Sequence, residues 1–154
     1  MRVYLPSTLP LLRTWLAVGS VPVSTGYAVT AGLRAQLIGD EEELEHAAVF
    51  RAARASLRLL EQVDEPRRVV LAVEADAPTL LDHLDDGAVR LTALLPVRAI
   101  AAGMVDGAEA ADAVRRAAAV VDAADLGDEE AELAVGDAED HELLWYATQE
   151  LGEL

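Results

Sequence analysis

Apolar and polar positions divide the chain into a strand, several helices, a group of strands, a further helix and a closing strand. Arg2-Val3-Tyr4-Leu5 is a β-prone run that Pro6 is expected to stop. Ser7 and Thr8 then offer caps to a helix through Leu12, Trp15 and Leu16 that ends near Gly19. Residues 20–28 read as a loop or an edge segment, and Thr30 caps a short helix closed by Gly39. Asp40 followed by Glu43 is a capping-box-like start to the longest helix, 41–62, and its acidic first turn suits the positive end of the helix dipole. Spacings of four and three place His46, Phe50, Ala53, Leu57 and Leu60 on one stripe with Val49 beside it. This stripe is expected to pack on a sheet, with His46 facing the core, while Arg51, Arg54 and Arg58 lie on another face.

Past Asp64-Glu65-Pro66, alternation of apolar residues predicts a strand over 67–75, followed by a short helix over 78–84. Alternation returns over 88–94, and beyond Pro96 a strand is predicted over 97–105, the two forming a hairpin. Ala111, Val114, Ala118 and Val121 mark a helix over 108–124, and an acidic segment over 125–142 comes next. The last element, 141–151, fits a helix by spacing, yet Leu143-Leu144-Trp145-Tyr146 favours a strand by composition, and the strand is preferred. This order argues for a single α+β domain over 1–154, with helices covering one face of an antiparallel or mixed sheet. The nearest named arrangement is ferredoxin-like.

Composition fits one soluble domain: 154 residues, 53% apolar, 26% charged, mean hydropathy +0.21, and no apolar run long enough to span a membrane. Pro6, Pro10 and Arg13 interrupt what a signal peptide would need to keep continuous, so the N-terminus reads as mature structure. Cysteine is absent, which removes disulfides, Cys-ligated metals and thiol nucleophiles and fits the cytoplasm. Lysine is absent too, which removes Schiff-base chemistry and the P-loop ammonium. Lysine and asparagine are missing while Ala, Asp, Glu and Arg abound, as GC-rich codon usage produces. Net charge is −16 and uneven: residues 1–104 hold 10 Arg and 13 acids, net −3, and residues 105–154 hold 2 Arg and 15 acids, net −13. Such a surface gives nucleic acid and anionic membrane nothing to hold, and neither is expected as a partner.

Met1-Arg2-Val3-Tyr4-Leu5-Pro6, Ala55-Ser56-Leu57-Arg58-Leu59-Leu60 and Asp140-His141-Glu142-Leu143-Leu144-Trp145-Tyr146-Ala147 resemble a family of small actinobacterial proteins designated a domain of unknown function. The resemblance covers the whole chain and implies an actinobacterial source, but carries over no activity.

No nucleotide, hydrolase or metalloprotease motif occurs, and no cofactor or metal is expected. His141 lies among Glu139, Asp140 and Glu142, and His83 precedes Asp85 and Asp86, without ligand spacing. Arg51, Arg54 and Arg58 repel one another and lack an acid four residues away on their helix. Acids from elsewhere in the chain or from a second copy are expected to meet them; an anionic ligand or acidic partner is the alternative. Trp145 and Tyr146 are core or sheet residues first and interface anchors second. The favoured function is a non-catalytic interaction or regulatory module with an acidic surface, its partner a protein or a second copy. A small hydrolase-like enzyme using His and carboxylates is the alternative.

Overall fold

Strands β1 (Arg2–Ser7) and β4 (Val69–Glu74) are apolar on both sides, and that decides the architecture. Val3, Leu5, Val69, Leu71 and Val73 are fully buried in one core, whereas Tyr4, Val70 and Ala72 are buried in another on the opposite face. Strands of this kind need cover on both sides. Helix α1 (Leu9–Val18), capped by Thr8, supplies Leu9, Leu12 and Trp15 to the first face. Helix α3 (Glu41–Leu57) supplies Leu44, Ala48 and Ala52 to the second. The computed structural model describes residues 1–154, and no helix in it is long and apolar enough to cross a membrane.

The α+β class and the antiparallel sheet are as the sequence predicts. The helices, however, are shared between the two faces instead of covering one, because the central strands bury residues on both. Along the sheet the order is β5 (Thr79–Leu80), β6 (Ala88–Arg90), β3 (Thr25–Tyr27), β1, β4, β8 (Ile100–Asp106) and β9 (Leu143–Ala147), every neighbouring pair antiparallel. A small separate ladder joins β2 (Ser20–Val21) to β7 (Leu95–Pro96). Since β3 and β4 both run antiparallel to β1, they are parallel to each other, and α3 connects them around β1. This is one split β-α-β unit, where a ferredoxin-like fold repeats it.

Pro6 does not stop β1, which pairs with β4 from Arg2↔Glu74 to Ser7↔Val69. At Pro6 only β4 is paired, since β3 joins β1 at Tyr4, so the missing N–H leaves no second ladder short. The helix predicted over 78–84 is instead β5 and a turn, in which the Asp82 carboxylate accepts from Thr30 Oγ1 (2.6 Å) and Gly87 N (2.8 Å). Strands β6 and β8 do not form the predicted hairpin; they lie on opposite sides of the β3–β1–β4 core of the sheet. Most of the acidic segment is helical. After α4 (Ala111–Asp125), Gly127 turns the chain at φ 95°, a conformation that favours glycine. Asp128 then caps α5 (Glu129–Glu139), accepting from Ala131 N at 2.9 Å. Ala131, Val135 and Ala138 of α5 pack on Val114, Ala117 and Val121 of α4, with Leu57 and Leu60 closing the cluster.

Candidate functional site

Helix α3 begins as its sequence requires: Asp40 accepts from Glu43 N at 2.9 Å, and Glu41, Glu42 and Glu43 occupy the first turn. Its buried face agrees with the predicted stripe at Ala53 and Leu57, as does Leu60 just beyond its end, and departs from it at His46 and Phe50. Leu44, Ala48, Ala52 and Ala53, with Ser56, meet the sheet and Leu57 meets α4 and α5, while His46 is exposed and Phe50 is 45% exposed. Small residues allow the helix backbone to lie close to the strands, so the larger side chains face outward. Ser56 fixes that contact by donating to Ser7 O (2.7 Å) and accepting from Val69 N (3.1 Å). The expectation that His46 packs in the core is therefore corrected.

The outward face of α3 separates two grooves. One, about 700 Å³, is lined by Arg51, Arg54 and Arg58 together with Glu43, Asp85, Asp125 and Glu132. Arg58 holds Asp125 through two bonds, Nε–Oδ2 at 2.8 Å and Nη2–Oδ1 at 3.0 Å. Arg54 reaches Asp125 and Glu132, each at 3.1 Å, and Arg51 reaches Asp85 at 3.4 Å. Acids from elsewhere in the chain thus meet all three arginines, as their unbalanced helix positions predict. The bond from Arg58 holds Asp125 below the usual carboxylate range. Tyr27 donates to Asp85 at 2.9 Å, and burial foremost, then that bond, pushes the phenol up to about 12. Arg54 and Arg58 are closely held by carboxylates, so an anion entering this groove competes with Asp125 and Glu132 for them.

The second groove, about 500 Å³, lies between α3 and the α5–β9 junction. His46, Phe50, Met104, Glu139, His141 and Leu143 line it, and its floor includes Arg68. Arg68 and Asp106 are 3% and 0% exposed and form a closed pair: Nε–Oδ2 at 2.9 Å, Nη2–Oδ1 at 2.7 Å, and the Arg68 backbone N–H to Oδ2 at 2.7 Å. Arg68 Nη2 also donates to His141 O at 2.9 Å, which ties the turn before β9 to the β4–β8 ladder. Glu139 is the exception in this polar floor, since its Oε2 is buried without a donor and burial raises its carboxyl above the usual range. No group of three or more His, Asp or Glu side chains is placed to hold a metal ion.

Trp145 and Tyr146 part company on β9. Tyr146 packs against the α1-side core, whereas Trp145 is 65% exposed on the α3 side, at the end of a shallow trough shared with Tyr4, Val49 and Met104. Strand β9 pairs with β8 alone and forms one edge of the sheet. Sequence reasoning singled out the three arginines and the aromatic pair, and the structure brings them to different sites. It missed Arg68, Asp106 and Glu139. The one available signal was the charge of Arg68 and Asp106, each at the end of an apolar run.

The fold and its surface define an α+β domain with two charged grooves flanking one helix and one open sheet edge. The chain belongs to DUF6912, a family of unknown function whose model matches residues 1–154. No curated protein and no solved structure matches it.

Proposed function

We propose that this chain is a non-catalytic interaction module that engages a protein partner through β9 and the adjoining face of α3. One observation carries the reading: the β9 edge is five residues long, uncharged and free of proline, with Trp145 65% exposed on it. Isolated apolar residues on a surface are ordinary, but an unprotected edge strand is a template for pairing that solitary proteins blunt. The opposite edge, β5, has two residues and follows Pro78. Lack of cysteine supports a cytoplasmic setting, the net charge of −16 supports a partner other than nucleic acid, and the missing lysine and asparagine support an actinobacterial source. The test is a photo-reactive amino acid in place of Trp145, expressed in the native host, with the same substitution at Leu126 (90% exposed) as control. A protein adduct at 145 and none at 126 is the expected result; equal or absent adducts overturn the reading.

A second reading, a small hydrolase-like enzyme, draws on Glu139, an acid held toward its protonated form in a groove shared with His46 and His141. A hydrolysis panel comparing the natural chain with Glu139→Gln separates the two. The interaction reading expects identical background rates, and a rate lost in the variant favours the enzyme.

A further inference from the structure

The exposed edge restricts what can bind to it, and the restriction is chemical as well as geometric. In an antiparallel strand the N–H and C=O of one residue point to the same side, alternating along the chain. Ala147 N donates to Glu150 Oε1 at 2.8 Å and so points away from β8. By alternation, the peptide groups of Leu143 and Trp145 also face outward, whereas those of Leu144 and Tyr146 serve the β8 ladder. The outward set is unpaired apart from the Ala147 N–H.

The two faces beside this edge differ. On the α3 side acids predominate: Glu139, Asp140 and Glu142 line the groove next to Leu143, and Glu42 and Glu45 line the trough that ends at Trp145, together with Arg2, which Glu74 already pairs. The one buried guanidinium there, Arg68, is already matched by Asp106. On the α1 side, Leu144 and Tyr146 present an apolar surface, with Leu144 45% exposed. A strand laid along β9 projects alternate side chains to these two faces.

We propose that β9 accepts an extended segment of a partner protein in which arginine or lysine alternates with apolar residues, added to the sheet as a further strand. This rests on the interaction reading given above and specifies its partner. Basic side chains meet the carboxylates and the exposed indole of Trp145, where a guanidinium gains cation–π contact, and apolar side chains cover Leu144. A second copy of the chain fits worse. Antiparallel self-pairing centred on Trp145 brings the acids that precede β9 in one copy (Glu139, Asp140 and Glu142) toward those that follow it in the other (Glu150 and Glu153), and that like-charge approach opposes the pairing.

The test uses the full chain and three synthetic peptides of about seven residues, enough for one strand. One alternates Arg and Val, one has the same composition in two blocks, and one alternates Glu and Val. Calorimetry and amide hydrogen exchange read binding and its location. The alternating basic peptide is expected to bind at least about tenfold more tightly than the block peptide, and to slow exchange at Leu143 and Trp145, with affinity falling as salt rises. Trp145→Arg is expected to abolish binding, while Leu126→Arg leaves it unchanged. Equal binding of the Glu peptide, or of both basic peptides, overturns the proposal, as does binding without protection of those two amides. Protection of the same amides that grows with protein concentration alone assigns the edge to a second copy. If crosslinking at 145 captures a protein but the alternating basic peptide does not bind, the partner class is wrong and the interaction reading stands. If the peptide binds and no adduct forms in the host, β9 accepts such a strand in vitro, but the interaction reading falls and the assignment of a natural partner falls with it.

Discussion

Replacing Asp106 with alanine removes the only carboxylate that meets Arg68 and leaves a guanidinium, 3% exposed, without its counter-charge. Three bonds from Arg68 to the Asp106 carboxylate are lost together, at 2.7, 2.7 and 2.9 Å, one of them from the backbone N–H at the start of β4. Breaking a buried pair in this way costs about 3–5 kcal/mol, far more than an exposed pair, because the surviving charge cannot return to water. Domains of this size are stable by about 5–15 kcal/mol, so the loss is a large fraction of the total. At about 2–4 °C of Tm per kcal/mol, thermal unfolding followed by circular dichroism should shift down by roughly 6–20 °C. The double replacement Arg68→Met with Asp106→Leu should recover part of this, since it removes both charges but leaves the backbone N–H of residue 68 and His141 O without these partners. Amide exchange across 141–147 should also quicken in Asp106→Ala, because Arg68 holds His141 O. A Tm shift below about 2 °C, the scale of an exposed ion pair, refutes the reasoning and shows that Arg68 reaches water.

Glu139→Gln should stabilise the protein at neutral pH. Burial raises the Glu139 carboxyl above its usual 4.5, so the folded chain binds that proton more tightly than the unfolded one, and stability is lost as pH rises through the folded value. Relieving the charge on a carboxyl with a buried, unpartnered oxygen should gain about 1 kcal/mol at pH 7, with no gain near pH 4; denaturant titrations at the two pH values check it. Arg58→Ala should cost at most about 1 kcal/mol, less at high salt, because both partners are partly exposed. The Asp125 carboxyl, held low chiefly by Arg58, should rise toward its usual 3.8 in that variant, and the Arg58-dependent stability of the natural chain should disappear as pH falls through the folded value. A carboxyl titration by NMR that leaves Asp125 unmoved contradicts the pairing.

Local chemistry was legible wherever it decides structure locally. Asp40 with Glu43 marked the start of α3, Thr30 marked α2 (Ala31–Gln36), and Leu143-Leu144-Trp145-Tyr146 marked β9. The phase of α3 was legible in its second half, where Ala53 and Leu57 are buried, as is Leu60 beyond them, and not in its first, since hydrophobic size pointed to Phe50 whereas close packing selected Ala48 and Ala52. Helix α5 was hidden because its buried stripe is short and small-sided within a strongly acidic segment. Gly103 shows the same dependence on close approach: a β-carbon there would come within 2.5 Å of Leu151, a contact visible only after the C-terminal turn is folded back. Of the site residues, the three arginines announced their need for acids, but which acids depended on the α4–α5 fold. Arg68 and Asp106 meet across the β4–β8 ladder, and no sequence spacing encodes that register. Trp15 and Trp145 sit in similarly apolar runs, yet one is 8% exposed and the other 65%. Only the place of β9 at the end of the sheet separates them.

The unequal ends of the sheet set a limit on stoichiometry. Strand addition propagates into a fibre only when each added chain exposes a fresh copy of the edge just consumed. Here β5 is too short to receive β9 of another copy, so head-to-tail growth has no acceptor. A partner strand added at β9, as proposed, would therefore end the sheet, and the stoichiometry expected is one strand per chain. The same inequality of the two edges lets an open apolar strand stand at one end of the sheet without templating a polymer of this chain.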